Sequence, residues 1–257
     1  MSSKVIAIAN QKGGVGKTTT AVNLAACLGH SGHATLLIDF DPQGNAGSGL
    51  GIHKDEVEAS VYHALVGTRT MADVVVRTDS PNLWLLPSDN HLAGAEIELV
   101  DHANREFRLR SCLETFRERF DYIIIDCPPS LGLLTVNALA AADTVLVPIQ
   151  TEYYALEGLG HLIQTIGLIH EHLNPALSIE GILLTMFDSR TNLSQQVAGE
   201  VTGHFGDLVF DTVIPRNVRL GESPSFGKPI REDAASSSGA RSYEALATEF
   251  LARNAAA

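Results

Sequence analysis

Short apolar runs alternate with longer amphipathic segments from one end of the chain to the other. Runs that are apolar throughout and bounded by Pro, Gly or Asp are typical of strands buried on both faces. This pattern predicts strands at residues 5–9, 35–39, 83–86, 122–126, 144–149 and 182–186. Helical spacing predicts helices at residues 17–28, 97–120, 133–142, 156–172, 193–205 and 243–253. Buried strands that alternate with helices predict an α/β fold, with a mostly parallel sheet and helices on both faces.

The length and composition are those of one large α/β domain. The 257 residues are 45% hydrophobic, which excludes a disordered chain. We find no internal repeat and no linker, because the Ser-rich segment 234–239 is too short to be one. We therefore expect a single domain over residues 1–257.

Several features predict a cytoplasmic protein. The longest apolar stretches, such as residues 133–142, are shorter than the roughly 20 residues that span a bilayer. The N-terminus lacks the pattern of a signal peptide. The cysteines Cys27, Cys112 and Cys127 are too widely spaced for a metal motif or a disulfide framework, and we expect them to be small buried side chains in a reducing compartment.

The chain is acidic. It has 18 Lys and Arg against 30 Asp and Glu, a formal net charge of −12. This balance argues against a protein whose whole surface binds nucleic acid, although it allows a small local basic patch.

The strongest chemical signal is the glycine-rich segment at residues 10–20, NQKGGVGKTTT, between the first predicted strand and the first predicted helix. Glycines let the backbone N–H groups point inward, and the N-terminus of the following helix favours phosphate. Lys17 offers a positive charge to the terminal phosphates and Thr18 offers a hydroxyl to Mg²⁺. The predicted phosphate-binding residues of this loop are Gly13, Gly14, Val15, Gly16, Lys17, Thr18 and Thr19, and Lys12 lies directly before them.

The sequence KGGVGKTT at residues 12–19 is similar to the deviant Walker A motif of the ParA/Soj/MinD ATPases. IDFDPQG at 38–44, IIDCPPS at 124–130 and IPRNVRL at 214–220 resemble further motifs of the ParA/Soj branch, in the same order. The resemblance covers essentially the whole chain and implies a P-loop NTPase that partitions chromosomes or plasmids. We expect no helix-turn-helix extension before residue 4, which would resemble the short Soj-like class.

Three aspartates follow predicted strands, where ligands of parallel sheets bind. Asp126 follows four apolar residues, which suits a Walker B carboxylate that holds Mg²⁺ through a water. The resemblance assigns Asp41 to positioning the attacking water. For Asp39 two interpretations stay open, a group near the waters of Mg²⁺ or a structural carboxylate.

The resemblance implies further roles. Lys12 would reach the nucleotide of a partner subunit, so that ATP drives homodimerisation, and Lys12, Lys17 and Asp41 would be the catalytic set. Pro215 and Asn217 come after an apolar segment that we expect to be a strand, and by resemblance they would contact the adenine. A ParB-like centromere-binding protein would stimulate a weak ATPase and release the dimer from the nucleoid.

A local basic patch is the candidate for DNA binding without sequence specificity. Its members, by resemblance to Soj-like proteins, are Arg190, Arg216, Arg219, Lys228 and Arg231. Contacts to the DNA backbone need only a few such charges, but ordinary surface arginines would give the same pattern.

Two other functions remain alternatives. A MinD-like membrane ATPase would need a basic amphipathic C-terminal helix, whereas residues 243–257 carry two acids, one arginine and small residues. A metabolic ligase or kinase of the same fold would need an acceptor-substrate site, for which the sequence shows no signal.

Overall fold

The computed structural model describes residues 3–153 and 155–255. Seven strands form one sheet: β1 (Lys4–Ile8), β2 (Thr35–Asp39), β3 (Val76–Arg77), β4 (Leu83–Leu86), β5 (Tyr122–Asp126), β6 (Thr144–Gln150) and β7 (Ser178–Thr185). The helices are α1 (Lys17–His30), α2 (Asn45–Ser48), α3 (Val61–Val66), α4 (Met71–Val74), α5 (Leu92–Glu98), α6 (Arg108–Glu114), α7 (Leu133–Ala141), α8 (Ala155–His172), α9 (Asn192–Phe205), α10 (Val218–Glu222), α11 (Ile230–Asp233) and α12 (Ser238–Ala255).

The strands lie in the order β3-β4-β2-β5-β1-β6-β7. All neighbours are parallel except β3, which pairs antiparallel with β4 at one edge. The predicted α/β fold with a mostly parallel sheet is confirmed. The two-residue strand β3 was not predicted, because so short a segment carries no periodic signal.

The sheet is buried on both faces, as its uniformly apolar strands require. On β5, Ile123 and Ile125 point into one apolar cluster, which α3, α6, α7 and α8 cover. Ile124 points into the opposite cluster, which α1 and α12 cover. Helices therefore lie on both faces, and the carboxyl ends of the central strands are left open for a ligand.

Two predicted elements are wrong in detail. The helix expected at residues 97–120 is divided into α5 and α6, and Asn104 between them has a positive φ of 60°, which an α-helix cannot accommodate. The Asn137 amide also holds this break, because it donates to the Arg105 carbonyl and accepts from the Leu109 N–H.

The second difference concerns the approach to Pro215, where an apolar strand was expected. Residues 209–215 make only two isolated bridges to the neighbourhood of β7, at Val209 and at Pro215. Between them the N–H groups of Asp211 and Thr212 donate to the Glu249 carboxylate instead of to a strand. A side chain of α12 therefore replaces the ladder.

Helix α12 packs along α1 and closes the face that carries the phosphate loop. Its buried residues include Tyr243, whose hydroxyl lies 3.1 Å from the Thr20 hydroxyl in α1, and Phe250. No helix within the described ranges has both the length and the apolar character needed to cross a membrane.

We predict opposite effects of alanine at two helical glycines. A Cβ at Gly29 would collide with the backbone carbonyl of Pro81, whereas one at Gly167 in α8 would meet nothing within 4 Å. Gly29→Ala should lower the free energy of unfolding by about 1–3 kcal/mol through overpacking. Gly167→Ala, the matched control, should raise it by roughly 0.5–1 kcal/mol. Urea titration measures both, and equal effects would contradict the packing described here.

Candidate functional site

The candidate site lies where the carboxyl ends of β1, β2 and β5 meet. In the parallel ladder Ile8 and Asp39 are both in register with Asp126. Because these strands are adjacent, the phosphate loop after β1 and the acidic groups that end β2 and β5 converge at one edge. The sequence predicted this convergence from the position of each motif after its strand.

Glycine permits the conformation of the phosphate loop. Gly14 and Gly16 have φ values of 73° and 88°, in the left-handed region that other residues rarely adopt. Helix α1 begins immediately afterwards, and no side chain caps its N-terminus. Its first N–H groups therefore remain available to an anion, together with the positive end of the helix dipole.

Lys17 lies under this loop with a relative exposure of 7%. Its Nζ donates to the carbonyl oxygen of Lys12 at 3.1 Å, which fastens the beginning of the loop. Burial lowers the pKa of the Lys17 ammonium, while the nearby Asp126, Cys127 and Asp41 oppose that shift. Phosphate oxygens would supply the stronger counter-charge that this buried cation lacks.

Asp126 is the most informative group in the site. It is fully buried, and neither carboxylate oxygen has a hydrogen-bond partner among the described residues. Burial raises the pKa of Asp126 well above its ordinary value, and Asp39 raises it further, against smaller opposing effects of Thr18 and Lys17. A buried carboxylate without a partner is costly, so this residue fits a cation ligand.

The donor set fits Mg²⁺ held jointly with a nucleotide. Within the described residues no group of three His, Cys, Asp or Glu side chains could hold a metal by itself. Mg²⁺ commonly takes one or two protein oxygens and completes its shell with waters and phosphates. The Thr18 hydroxyl and the Asp126 carboxylate are suited to that arrangement.

Asp39 and Asp41 are both buried but differ in their surroundings. Asp39 accepts hydrogen bonds from the N–H groups of Gly47 at 2.8 Å and Asp41 at 3.4 Å. Burial raises the pKa of Asp39 to about 7 in spite of these bonds. Asp39 thus fastens the segment that leads into α2, which supports its structural interpretation. Among the described residues, the Asp41 carboxylate accepts only from the Gln43 N–H, at 2.9 Å.

Lys12 lies on the surface, whereas Lys17 is buried. Its Nζ forms an ion pair with the Glu152 carboxylate at 2.8 Å, and both side chains are about half exposed. Such exposed pairs contribute only about 0–1 kcal/mol. The Lys12 side chain can therefore leave Glu152 at little cost.

Two residues that support the phosphate loop were missed by sequence reasoning. The Asn10 amide donates to the Pro148 carbonyl at 2.7 Å and accepts from the Lys12 N–H at 2.9 Å. The Thr185 hydroxyl, at the end of β7, donates to the Val15 carbonyl at 2.8 Å. Asn10 precedes the motif and carried a weak signal, whereas Thr185 lies 170 residues away and carried none.

The segment predicted to contact adenine follows the bridge between Phe187 and Pro215. Asn217 begins α10: its Oδ1 accepts from the Arg219 N–H at 2.8 Å, and its Nδ2 donates to the Ser238 hydroxyl at 2.7 Å. Its polar atoms are thus already engaged within the chain. A direct contact of Asn217 with adenine stays a prediction.

The candidate DNA-binding residues do not form one uniform patch. Arg190, 85% exposed, makes a two-pronged pair with Asp188 at 2.8 and 2.9 Å and lowers the pKa of that carboxyl to about 2. Arg216 is exposed and near enough to Asp188 to lower its pKa further. Arg219 pairs with Glu222 at 3.1 Å on the exposed surface of α10.

The other two candidates follow α10 in the chain. Arg231 is half-buried, with its guanidinium 2.7 Å from the Glu244 carboxylate. Lys228 lines a cavity of about 250 Å³ that Thr18, Thr19 and Asn45 also line, close to the phosphate loop. Arg190 and Arg216 both lie close to Asp188, whereas Arg219 and Lys228 are linked through Ser223, whose hydroxyl donates to the Arg219 carbonyl and whose carbonyl accepts from the Lys228 N–H.

A glycine-rich loop between a central parallel strand and a helix defines the class of P-loop nucleotide-binding proteins. A family model described as an AAA domain matches residues 3–179. The chain is 57% identical to the chromosome partitioning protein ParA of Myxococcus xanthus, over 98% of this chain and 89% of that protein. It is 58% identical to the sporulation initiation inhibitor protein Soj of Bacillus subtilis, over 97% and 98%. The chain belongs to the ParA/Soj family of chromosome-partitioning ATPases.

A solved structure with the same fold contains a nucleotide. It is named cobyrinic acid a,c-diamide synthase from Mycobacterium smegmatis and holds ADP and magnesium. The similarity has a TM-score of 0.85 and 40% identity, and covers 97% of this chain and 94% of that one. The resemblance inferred from the motifs is thereby confirmed at the level of the family.

The raised pKa of Asp39 predicts a pH dependence of stability without metal. A carboxyl whose folded-state pKa is raised stabilises the fold while protonated, and this contribution is lost as the pH rises towards 7. In EDTA, the Asp39→Asn variant should therefore gain roughly 2–3 kcal/mol of unfolding free energy relative to wild type between pH 5 and pH 8. Asp101→Asn, at an exposed position, is the control. A constant difference between the Asp39→Asn variant and wild type across this range would refute the assignment.

Proposed function

We propose that this protein is a partitioning ATPase that binds Mg²⁺–ATP, forms a nucleotide-dependent homodimer and, as that dimer, binds DNA without sequence specificity. The observation that carries the proposal is the buried, unpartnered Asp126 carboxylate beside an uncapped phosphate-loop helix. Together they favour a ligand that brings both a cation and phosphate oxygens.

Different groups of the site bind the phosphates of ATP and the Mg²⁺ ion. The backbone N–H groups of residues 13–19 and the Lys17 ammonium bind the phosphates, and the Thr18 hydroxyl and Asp126 hold the ion. Mg²⁺ would neutralise charge on the β- and γ-phosphate oxygens. Asp41, buried beside Lys17 and left with few hydrogen bonds, orients the attacking water.

Lys12 supplies the coupling between ATP and dimerisation. Its side chain is exposed and, in the part of the chain that the structure describes, is held only by Glu152, so it can turn to the nucleotide of a second subunit. A cation placed there would stabilise the negative charge that develops as the γ-phosphate leaves. The completed site then requires two chains.

The partner is expected to be a ParB-like centromere-binding protein that stimulates hydrolysis and releases the dimer from the nucleoid. This expectation rests on membership of the ParA/Soj family and on the names of the relatives. On the same basis we expect the protein to lie in the cytoplasm, associated with the nucleoid.

The two alternatives receive less support. A membrane-bound cycle needs an apolar face on the C-terminal helix, but α12 already buries Tyr243, Leu246 and Phe250 against the core. A metabolic amidation is suggested by the name of the Mycobacterium smegmatis protein, yet the identity to partitioning relatives is higher, 57–58% against 40%.

A pair of variants tests the proposed dimer. Lys12→Ala should bind ATP as a monomer, because Lys17 and the backbone N–H groups of the same subunit remain. Asp41→Ala should accumulate as an ATP-bound dimer, because the barrier to hydrolysis rises while ATP binding persists. Size-exclusion chromatography with ATP and with ADP, together with phosphate release, measures both.

The Glu152→Gln variant is the matched control for Lys12→Ala. It removes the charge that pairs with Lys12 inside the subunit but leaves the lysine, so it should still dimerise with ATP. If Lys12→Ala dimerises at the same ATP concentrations as the wild-type protein, Lys12 has no role across an interface.

The DNA-binding surface is tested by removing two charges together. Arg216→Ala combined with Arg219→Ala should weaken DNA binding at low salt. The slope of the logarithm of the DNA-binding constant against the logarithm of salt concentration should become shallower by about one unit for each lost phosphate contact. Arg69→Ala combined with Arg110→Ala removes the same charge from exposed positions elsewhere and should leave the slope unchanged.

Because Arg216 adjoins the candidate adenine segment, the same protein is also tested for ATP-dependent dimerisation, which should survive. If the Arg216 and Arg219 double variant dimerises and keeps the wild-type salt slope, the contact surface lies elsewhere, and Arg190 is the next residue to change.

A further inference from the structure

Thr185 connects the phosphate loop to a strand that belongs to no recognised motif. It is the last residue of β7, is 2% exposed, and its hydroxyl donates to the Val15 carbonyl at 2.8 Å. β7 is separated from β1, the strand that leads into the loop, by β6. The bond therefore ties the middle of the loop to a strand that is not adjacent to β1.

The geometry of the peptide unit gives this bond a consequence for phosphate. In a trans peptide the carbonyl of Val15 and the N–H of Gly16 point in opposite directions. Holding the carbonyl towards β7 turns the Gly16 N–H away from β7. Gly16 has a φ of 88° and no side chain, so no packing of its own holds the orientation of this peptide.

Both parts of the Thr185 side chain face the loop. The hydroxyl binds the Val15 carbonyl, and the Cβ and Cγ2 atoms would lie 3.9 Å from a Cβ built on Gly16. The hydroxyl is the directional part, because a methyl group packs against either orientation of the peptide.

The end of β7 also positions the segment predicted to contact adenine. Two residues after Thr185, the Phe187 N–H donates to the Ile214 carbonyl at 3.1 Å, and the Phe187 carbonyl accepts from the Arg216 N–H at 3.0 Å. The strand end thus orders the loop for phosphate and the segment around Pro215 together.

We propose that Thr185 is a positioning residue for nucleotide phosphate: its hydroxyl holds the Val15–Gly16 peptide so that the Gly16 N–H is directed at the bound phosphate. This inference rests on the proposed nucleotide binding. Thr185 touches no substrate itself; it acts through the Gly16 N–H.

The test compares isosteric and conservative variants. Thr185→Val keeps the shape and removes the hydroxyl, and should bind Mg²⁺–ADP and Mg²⁺–ATP about tenfold more weakly, the effect of losing about 1.4 kcal/mol. Thr185→Ser restores the hydroxyl and should recover affinity to within about threefold of wild type. Calorimetric titration of each purified protein with ADP and ATP gives the affinities.

Thr78→Val is the matched control. Thr78 is also buried, and its hydroxyl donates to the Leu83 carbonyl at 2.9 Å, away from the loop. Its loss should lower Tm as Thr185→Val does, with no change in affinity for either nucleotide. If Thr185 had only a structural role, both valine variants would lower Tm and neither would change the affinity for nucleotide.

The outcomes separate the hypotheses. Wild-type affinity of Thr185→Val overturns the proposal, as does Thr185→Ser binding as weakly as Thr185→Val, which would assign the effect to the methyl group. If Thr185→Val does not fold, Thr185→Ser decides: affinity within about threefold of wild type supports the hydroxyl, and a larger loss refutes it. Failure of the wild-type protein to bind nucleotide would instead contradict the proposed function itself.

Discussion

The structure is organised around a carboxylate that the protein buries and leaves without a partner. Asp126 ends the strand in the middle of the sheet, in register with Asp39, and none of the described residues makes a hydrogen bond to its carboxylate oxygens. Burying charge in this way costs several kcal/mol unless a counter-ion arrives. The parallel sheet fixes both groups in place, because their positions are set by the strand register. The buried Asp126 carboxylate therefore lowers the stability of the fold, and a cation bound there with its phosphates would offset that cost.

The phosphate loop depends on a related constraint. A loop that presents N–H groups inward must direct its carbonyl groups outward, and those carbonyls need partners. The Lys17 ammonium takes one carbonyl, the Thr185 hydroxyl takes another, and the Asn10 amide holds the approach to the loop. Contacts within the chain therefore hold the loop in the conformation for binding, which reduces the ordering that ligand binding would require.

The exposed surface differs from the buried site, because its charges are paired weakly and are screened by solvent. The chain carries a net charge of −12, so any contact with DNA has to come from a few arginines against a repulsive background. Most of those arginines are paired with acids of the same chain, Arg190 with Asp188 and Arg219 with Glu222. These exposed pairs are weak and can be exchanged for phosphates. Contacts of this kind respond strongly to salt.

The sequence by itself determined the α/β fold, the site edge and the family, because each signal is local. Buried strands such as residues 122–126 are apolar throughout, and a glycine-rich loop followed by Lys17 and Thr18 needs no distant residue to be recognised. Only the tertiary structure decided which distant groups meet. Thr185 reaches Val15, Glu249 replaces a strand ladder at Asp211, and Arg231 turns inward to Glu244. Such contacts join residues far apart in the chain through single hydrogen bonds, and a single hydrogen bond leaves no periodic trace in the sequence.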